Sequence, residues 1–385
     1  MIDLEALLSD RMQAMEPSGI RRVFEMAAKM KDPINFSIGQ PDFDVPEPVK
    51  QAAIDAIRAG RNGYTITQGI PELRAAIAAK MTEELGWEVG PDCECDVLIT
   101  NGTSAGLLLA YTALADPGDE VIIPDPYFVS YPQVAAMVGA TAISCDTYPD
   151  FRMTAERLEP LITERTRFIV LNSPGNPSGV VLSSAELREV VELCESRGVL
   201  LLSDEIYDEF TYADGREEGV FPTPGRFSNR MLILRGFSKT YGMTGWRLGY
   251  AVGPNRLIRE MTKVNQYSFV CAPHMVQHAG VVALRTDMSA FVAAYERKRD
   301  MVVAALGGLT EVAHPAGAFY AFPQVPPRLG LTGEAFFHKA LEHNVLVIPG
   351  HIFSQRDTHY RISYAVDDAR LAKGLDVLAA LMRGQ

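Results

Sequence analysis

The sequence predicts an α/β protein: a large domain with a mostly parallel sheet flanked by helices, and a smaller α+β domain. The chain has 385 residues, which is more than one simple core usually organises. Apolar residues make up 47% of it and charged residues 22%, as in ordinary folded proteins. Between residues 95 and 265, short apolar runs alternate with helical patterns. Such alternation is typical of βαβ units around a buried parallel sheet.

Seven apolar runs are the predicted strands of the large sheet. They are Val97–Thr100, Glu120–Pro124, Thr141–Cys145, Phe168–Leu171, Val199–Ser203, Met231–Arg235 and Leu248–Val252. Helical patterns lie between several of them, at Ser104–Ala115, Ser184–Arg197 and Asn255–Asn265. Ligands bind at the carboxyl ends of the strands in open sheets of this kind. The unusual polar residues of this chain follow the strands directly, so we expect a ligand site there.

The last ninety or so residues change in character. Ala290–Leu306 has the pattern of a long helix, and Val345–Pro349 and Tyr360–Ala365 have that of short strands. The first 45 residues contain a Pro- and Gly-rich stretch at 39–42 and are expected to cross between the domains. The predicted division is an N-terminal segment, 1–45, that contributes to the small domain, a large domain, 46–290, and a C-terminal small domain, 291–385.

Composition and charge exclude several classes of protein. The net charge of −12 disfavours binding to nucleic acid or to an anionic membrane. The first residues, MIDLEALLSD, lack the basic start of a signal peptide, and no apolar run reaches the ~20 residues of a membrane span. Five cysteines at low density indicate reduced thiols, and Cys93 and Cys95 lack a second pair at zinc-site spacing. We therefore expect a soluble, cytoplasmic protein with no metal site.

The strongest single signal for chemistry is Lys239, in GFSKTYGMTGWRLGY directly after the apolar run MLILR. A desolvated lysine loses proton affinity and becomes a nucleophile toward carbonyl groups. Arg247 follows eight residues later and could bind a phosphate with its forked guanidinium group. Each residue taken alone has an ordinary alternative: a solvated lysine in a Gly-rich turn, and an arginine paired with a surface carboxylate.

Three further positions after predicted strands could bind charged groups. The stretch 101–104 (NGTS) opens a helix, whose first N–H groups can bind an anion, although Thr and Ser are also common helix caps. Asp204 follows VLLLS, where a buried carboxylate must be paired; it could cap the next turn or hold a protonated ring nitrogen. Arg361 lies inside the apolar strand YRISYA and needs an anion, either a protein carboxylate or a substrate.

Six motifs occur together along nearly the whole chain, from Pro17 to the strand of Arg361: GQPDFDVP, YTITQGIPELR, NSPGNPSGVV, SDEIYDEF, GFSKTYGMTGWRLGY and YRISYA. With them the chain resembles the class I (aspartate aminotransferase-like) family of fold-type I enzymes dependent on pyridoxal 5′-phosphate (PLP). The resemblance implies a seven-stranded sheet in the large domain and a homodimer. It also implies a ping-pong transfer of an amino group between an L-amino acid and a 2-oxo acid, 2-oxoglutarate being the expected acceptor.

The resemblance also implies roles for residues. Lys239 should carry PLP as a Schiff base and move the substrate proton, and Asp204 should hold the pyridinium nitrogen N1 protonated. Tyr207 and Asn176 should bind the phenolic oxygen O3′, and Tyr127 should stack on the ring. The phosphate should be bound by Gly102, Thr103, Ser104, Ser238 and Arg247, with Tyr64 reaching in from the other subunit. The substrate carboxylate should be bound by Arg361, with Asn176 and the backbone of Gly39.

Some positions depart from the family's pattern. Thr103 stands where aspartate-specific relatives often have a lysine that binds a second carboxylate; the segments 268–273 and 350–357 are also unusual. We therefore expect aspartate not to be strongly favoured over neutral amino acids, unless Arg21 or Arg22 supplies a charge. Two other functions stay open on the same fold: a PLP-dependent lyase or decarboxylase, and a non-catalytic regulator domain. The regulator is disfavoured because the chain has no basic footprint for DNA.

Overall fold

A mixed sheet of seven strands forms the centre of the computed structural model, which describes residues 2–13, 15–28 and 30–385. The strands of this sheet and of two smaller sheets are numbered together along the chain. They are β1 (Ile34–Asn35), β2 (Cys95–Thr100), β3 (Glu120–Asp125), β4 (Thr141–Asp146), β5 (Thr166–Asn172), β6 (Leu200–Asp204), β7 (Leu232–Gly236), β8 (Gly249–Pro254), β9 (Tyr320–Ala321), β10 (Val345–Leu346), β11 (Ile348–Pro349) and β12 (Tyr360–Ser363). The large sheet has the order β2-β8-β7-β6-β5-β3-β4. Strand β8 runs antiparallel to the other six strands, which are parallel to one another, so the predicted mostly parallel sheet is confirmed.

Helices cover both faces of this sheet. The helices are α1 (Asp10–Gln13), α2 (Gly19–Ala27), α3 (Glu47–Arg58), α4 (Pro71–Leu85), α5 (Thr103–Leu114), α6 (Ser130–Val138), α7 (Ala155–Leu158), α8 (Ser184–Arg197), α9 (Asn255–Gln266), α10 (His274–Ala283), α11 (Ser289–Leu306), α12 (Gly333–Glu342) and α13 (Asp368–Arg383). One hydrophobic core contains side chains of α3, α4, α8 and α10, and another contains those of α5, α6 and α9. Strands covered on both faces need continuous apolar runs, which is why the sequence showed them so clearly.

The predicted strand ends agree with the structure within two residues. Helix α8 has the predicted bounds because both of its ends carry strong local signals. Ser183 and Glu186 form a capping box at the start, and Gly198 takes a left-handed conformation (φ 67°) at the end. No described helix combines the length and the apolar character that crossing a membrane requires.

The C-terminal elements form a smaller α+β layer that includes the N-terminal segment. Strand β12 lies between β11 and β9 in an antiparallel sheet, and β1 pairs with β10 in parallel, Ile34 opposite Val345. The single strand predicted at 345–349 is instead two short strands in different sheets, because Val345 and Leu346 pair with β1 whereas Ile348 and Pro349 pair with β12. The domain boundaries at 45/46 and 290/291 stay predictions.

Candidate active site

A cavity of about 430 Å³ opens at the edge of the large sheet where β2, β6 and β7 end. Because β8 runs antiparallel to β2 and β7, its first residues, next to Arg247, lie at the same edge. Ten of the predicted site residues line this cavity: Gly39, Thr103, Ser104, Asn176, Asp204, Tyr207, Ser238, Lys239, Arg247 and Arg361. The chain thus brings together side chains that come from five strand ends and from the N-terminal segment.

Lys239 presents a half-buried amine to the cavity. Its Nζ donates a hydrogen bond to the carbonyl oxygen of Gly39 over 2.5 Å and lies 5.9 Å from the centre of the Phe319 ring. Burial, followed by the positive charges of Arg361 and Arg247, lowers the pKa of Lys239 to about 8, although the carboxylate of Asp204 opposes this shift. At neutral pH this amine therefore releases its proton far more easily than an exposed lysine does.

Asp204 ends β6 with a carboxylate that is buried against the cavity. Oδ2 accepts a hydrogen bond from the hydroxyl of Tyr131 over 2.8 Å, and Oδ1 accepts one from the N–H of Ile206 over 3.3 Å. Burial raises the pKa of Asp204 to about 6, while these two hydrogen bonds lower it. Within the described residues no cationic side chain forms a salt bridge with this carboxylate.

The contacts of Arg361 orient its guanidinium group so that it can bind an anion in the cavity. Its two terminal nitrogens donate to Oδ1 of Asn176 and to the carbonyl oxygen of Ser37, each over 3.0 Å. The guanidinium group lies between two aromatic rings, 4.5 Å from the centre of Tyr320 and 4.6 Å from that of Phe353. Its Nε is buried without a partner among the described residues, and within them no carboxylate forms a salt bridge with it. A buried guanidinium group in this state favours an anionic ligand.

The opposite end of the cavity combines a helix N-terminus with an arginine. Helix α5 begins at Thr103, so its first N–H groups lack acceptors inside the helix. Arg247 has a left-handed backbone (φ 58°), and its guanidinium group donates to the carbonyl oxygens of Thr244 over 3.0 Å and of Asn101 over 3.4 Å. A Cβ atom on Gly102 would lie 2.5 Å from this group, so only glycine leaves room for the arginine.

Three of the predicted residues do not line the cavity. Gly102 contributes instead through the space it leaves for Arg247. Tyr127 donates its N–H to the carbonyl oxygen of Phe353, and its neighbour Phe128 lines the cavity instead. Tyr64 is 85% exposed, away from the cavity of its own chain.

Three aromatic residues line the cavity that the sequence had not singled out: Phe128, Tyr131 and Tyr320. The hydroxyl of Tyr207 donates to that of Tyr320 over 3.1 Å. The motif DPYFVSYP contains both Phe128 and Tyr131, so its density of aromatic residues after a strand was the available signal. The two arginines considered for a second carboxylate lie outside the cavity lining, and Arg22 pairs with Glu334 over 3.3 Å.

Comparison with known proteins gives the same family throughout. The family model described as aminotransferase class I and II matches residues 31–378. The chain is 36% identical to an aspartate aminotransferase of Pyrococcus abyssi and 34% identical to aromatic-amino-acid aminotransferase 2 of Thermococcus litoralis, with 98% of each chain covered in both cases. The solved structure of aspartate aminotransferase from Thermus thermophilus with maleate superposes with a TM-score of 0.90 at 36% identity, covering 97% of this chain and 99% of that one. This chain therefore belongs to the class I and II aminotransferases, and its reaction is the transfer of an amino group.

Proposed function

We propose that this aminotransferase uses PLP, and that it moves the amino group between an L-amino acid and a 2-oxo acid, 2-oxoglutarate as acceptor, by a ping-pong mechanism. The observation that carries the proposal is the meeting of three groups in one cavity: the half-buried amine of Lys239, the buried carboxylate of Asp204 and the buried guanidinium group of Arg361. When bound, PLP links covalently to amino groups and withdraws electrons from the bonds at Cα of the amino acid.

The buried polar groups fit this cofactor at both of its ends. Asp204 has a buried carboxylate, without a salt bridge among the described residues, whose charge would hold a protonated ring nitrogen. The first N–H groups of α5, the hydroxyls of Thr103 and Ser104, and Arg247 offer donors for a phosphate. Phe128 is the aromatic side chain we assign to the ring face, in place of Tyr127. Ser238 and Tyr207 complete the cofactor site, the latter toward the phenolic oxygen.

Lys239 has the properties of both a nucleophile and a base. Its lowered pKa, about 8, leaves a usable fraction of free amine near neutral pH. We assign to its Nζ the linkage with the cofactor and, once released from it, the transfer of the proton from the substrate Cα. The hydrogen bond to the carbonyl oxygen of Gly39 restricts where this amine can point.

Arg361 is assigned to the α-carboxylate of the substrate. Asn176 and the carbonyl of Ser37 hold two of its nitrogens, and the rings of Tyr320 and Phe353 hold its plane, so the group is oriented before the substrate arrives. A fork-shaped donor binds a carboxylate through two oxygens and thereby fixes the position of Cα. Gly39 and Asn176 also line the cavity.

The proposal includes a homodimer in the cytoplasm. The exposed Tyr64 would reach the phosphate of the other subunit's cofactor, which gives composite sites.

The experiment is borohydride reduction of the protein with PLP bound, followed by peptide mapping. We expect one labelled lysine, Lys239, and we expect Lys239→Ala to bind PLP without a covalent link and without turnover. Label on another lysine would contradict the assignment. Adding an amino acid alone should convert the cofactor stoichiometrically to its aminated form, which a lyase or a decarboxylase would not do.

A further inference from the structure

A buried ion pair joins the ends of β6 and β7 behind the cavity. Arg235 in β7 is 1% exposed and Glu205, just after β6, is fully buried; neither lines the cavity. Nε of Arg235 donates to Oε2 of Glu205 over 2.8 Å, and NH1 donates to Glu84 over 2.6 Å. The other oxygen of Glu205 accepts hydrogen bonds from the hydroxyls of Ser203 over 3.0 Å and of Thr223 over 2.7 Å.

The two members of this pair are neighbours in sequence of the two central groups of the cofactor site. Asp204 immediately precedes Glu205, and Lys239 follows Arg235 by four residues on the same strand end. Strands β6 and β7 lie side by side with Asp204 opposite Leu234, and the N–H of Glu205 donates to the carbonyl oxygen of Leu234 over 2.9 Å. The ion pair is therefore a second, side-chain connection between the two strand ends that present Asp204 and Lys239.

Stability alone gives no reason for burying this pair. Replacing a buried ion pair with apolar residues of similar volume is often neutral or stabilising, because both ions lose their hydration. Arg235 also leaves one buried nitrogen, NH2, without a hydrogen-bond partner among the described residues. What the pair does provide is geometry, since a guanidinium fork and a carboxylate bonded on both oxygens allow little lateral movement.

We propose that Arg235 and Glu205 are positioning residues that fix the separation of the β6 and β7 ends, and with it the placement of Asp204 relative to Lys239. This inference rests on the proposed function, because the separation matters only if both groups act on one cofactor. Neither residue touches the cavity, so their effect is transmitted through the backbone of the two strands.

The test compares Arg235→Met with the double variant Arg235→Met/Glu205→Gln in the protein loaded with PLP. The single variant leaves a buried, unpaired carboxylate and is expected to lose thermal stability as well as cofactor affinity. The double variant also removes the charge of Glu205 and leaves Glu84 paired with Lys80 over 2.5 Å, but Asp208 still loses its contact of 3.5 Å with Arg235, so we expect part of the thermal stability to return. Its dissociation constant for PLP should stay raised, its cofactor absorbance should stay altered, and its kcat should fall by on the order of 10²-fold from misplacement of the reacting groups.

The matched control is Arg74→Met/Asp96→Asn, which removes another ion pair of low exposure, with 2.5 Å between NH2 of Arg74 and Oδ1 of Asp96. Asp96 lies at the start of β2, the end of that strand away from the cavity. We expect it to change thermal stability but not the PLP dissociation constant. If the Arg235/Glu205 double variant bound PLP as tightly as the unsubstituted protein and with the same absorbance, the inference would be wrong. The proposed function would be unaffected by that result. If the unsubstituted protein itself bound no PLP, the proposed function would fail, and the inference with it.

Discussion

The hydroxyl of Tyr131 donates a hydrogen bond over 2.8 Å to Oδ2 of Asp204, and both side chains are buried. Burial raises the pKa of Asp204 to about 6, and the bond from Tyr131 is the largest effect that opposes this rise. Burial also holds the pKa of Tyr131 well above its ordinary value, so its hydroxyl remains a donor throughout the neutral range. Tyr131 therefore favours the ionised form of Asp204.

Tyr131→Phe should raise the pKa of Asp204 further, because it removes this hydrogen bond and keeps the ring. The ionised fraction then falls most at the acidic side of neutrality, so the affinity for PLP should decrease more at pH 6 than at pH 8. The measurement is the PLP dissociation constant across this range. Tyr111→Phe is the control, since Tyr111 is equally buried and its hydroxyl has no partner in the described part of the chain. A pH dependence shared by both variants would contradict this role of Tyr131.

Asp204→Asn tests the carboxylate itself. The amide keeps the shape of the side chain but cannot stabilise a positive charge on the cofactor ring. Losing a preorganised electrostatic group of this kind costs on the order of 10²-fold in kcat. Steady-state kinetics with one amino donor would measure the effect, and a kcat near that of the unsubstituted enzyme would be incompatible with the proposed role.

The cofactor-free protein should become more stable when Lys239 is replaced by Met. The folded state lowers the pKa of Lys239 from 10.5 to about 8, so between these values the unfolded state binds more protons and stability rises with pH. At pH 7 the folded protein holds a charge it disfavours, and removing it should stabilise the fold by on the order of 3 kcal/mol. This difference in the free energy of unfolding between the two proteins should vanish as the pH approaches about 10.5.

Denaturant unfolding of both proteins at pH 7, 9 and 10 would measure this difference. Lys263→Met, at a lysine whose side chain is 64% exposed, serves as the control and should show no such gap. A Lys239→Met protein that is less stable at pH 7, or a gap that is independent of pH, would argue against a disfavoured ammonium group at this position.

The sequence was sufficient for the parts of the site that regular structure positions. Asp204 and Lys239 follow apolar runs, and a strand's period and ending determine where the next residue lies. The choice between Tyr127 and Phe128 could not be made in the same way, because a loop has no period that fixes which side chain turns inward. The contact of Tyr131 with Asp204 joins residues 73 positions apart, and only the packed fold reveals it.

The split of the predicted strand at 345–349 has a similar cause. All five residues are buried and apolar, so the pattern shows one run. Which partner each half pairs with depends on β1, at the start of the chain, and on β12, near its end. Such long-range pairing leaves no mark in the local sequence.

Tyr64 is predicted to complete the site of a second subunit. Ile66, in the same loop, is 55% exposed, and Tyr267, directly after α9, is 93% exposed. Asn265 in the last turn of α9 donates to the carbonyl oxygen of Thr67 over 3.4 Å, which connects the two segments. Exposed apolar patches of this kind mark interfaces. Lys239→Ala and Tyr64→Ala chains should each be impaired alone. In an equal mixture about half of the dimers are mixed, and each mixed dimer has one intact site of its two, so the mixture should regain up to about a quarter of the normal activity.

Subunit exchange followed by an activity assay would test this complementation. Mixing Lys239→Ala with Asp204→Asn chains is the control, since both of these residues belong to the same chain's cavity and no mixed dimer gains an intact site. Sedimentation showing a fully active monomer, or mixtures that regain nothing, would exclude a composite site.

The α-carboxylate and the side chain of the substrate should contribute differently to the choice among amino acids. Arg361 binds the carboxylate common to every amino acid, so Arg361→Lys should lower kcat/KM for all of them together by loss of the forked geometry. Among the described residues, the cationic side chains that line the cavity are Lys239, Arg247 and Arg361, and each is already assigned. The remaining wall offers Ile20, Ile38 and Gln40 to a substrate side chain.

The described part of the chain therefore leaves no cation in the cavity for a second carboxylate, and we expect aspartate not to be strongly favoured over alanine or phenylalanine. A buried carboxylate without a partner would be costly, whereas a neutral side chain can pack against the two isoleucines. The measurement is the ratio of kcat/KM for aspartate to that for each neutral amino acid. Neither Arg21 nor Arg22 lines the cavity, and Arg22 pairs with Glu334, so Arg21→Ala and Arg22→Ala should leave the ratio unchanged. If aspartate were preferred by several orders of magnitude in all three proteins, a cation from elsewhere would have to reach the site, and this account of the pocket would be wrong.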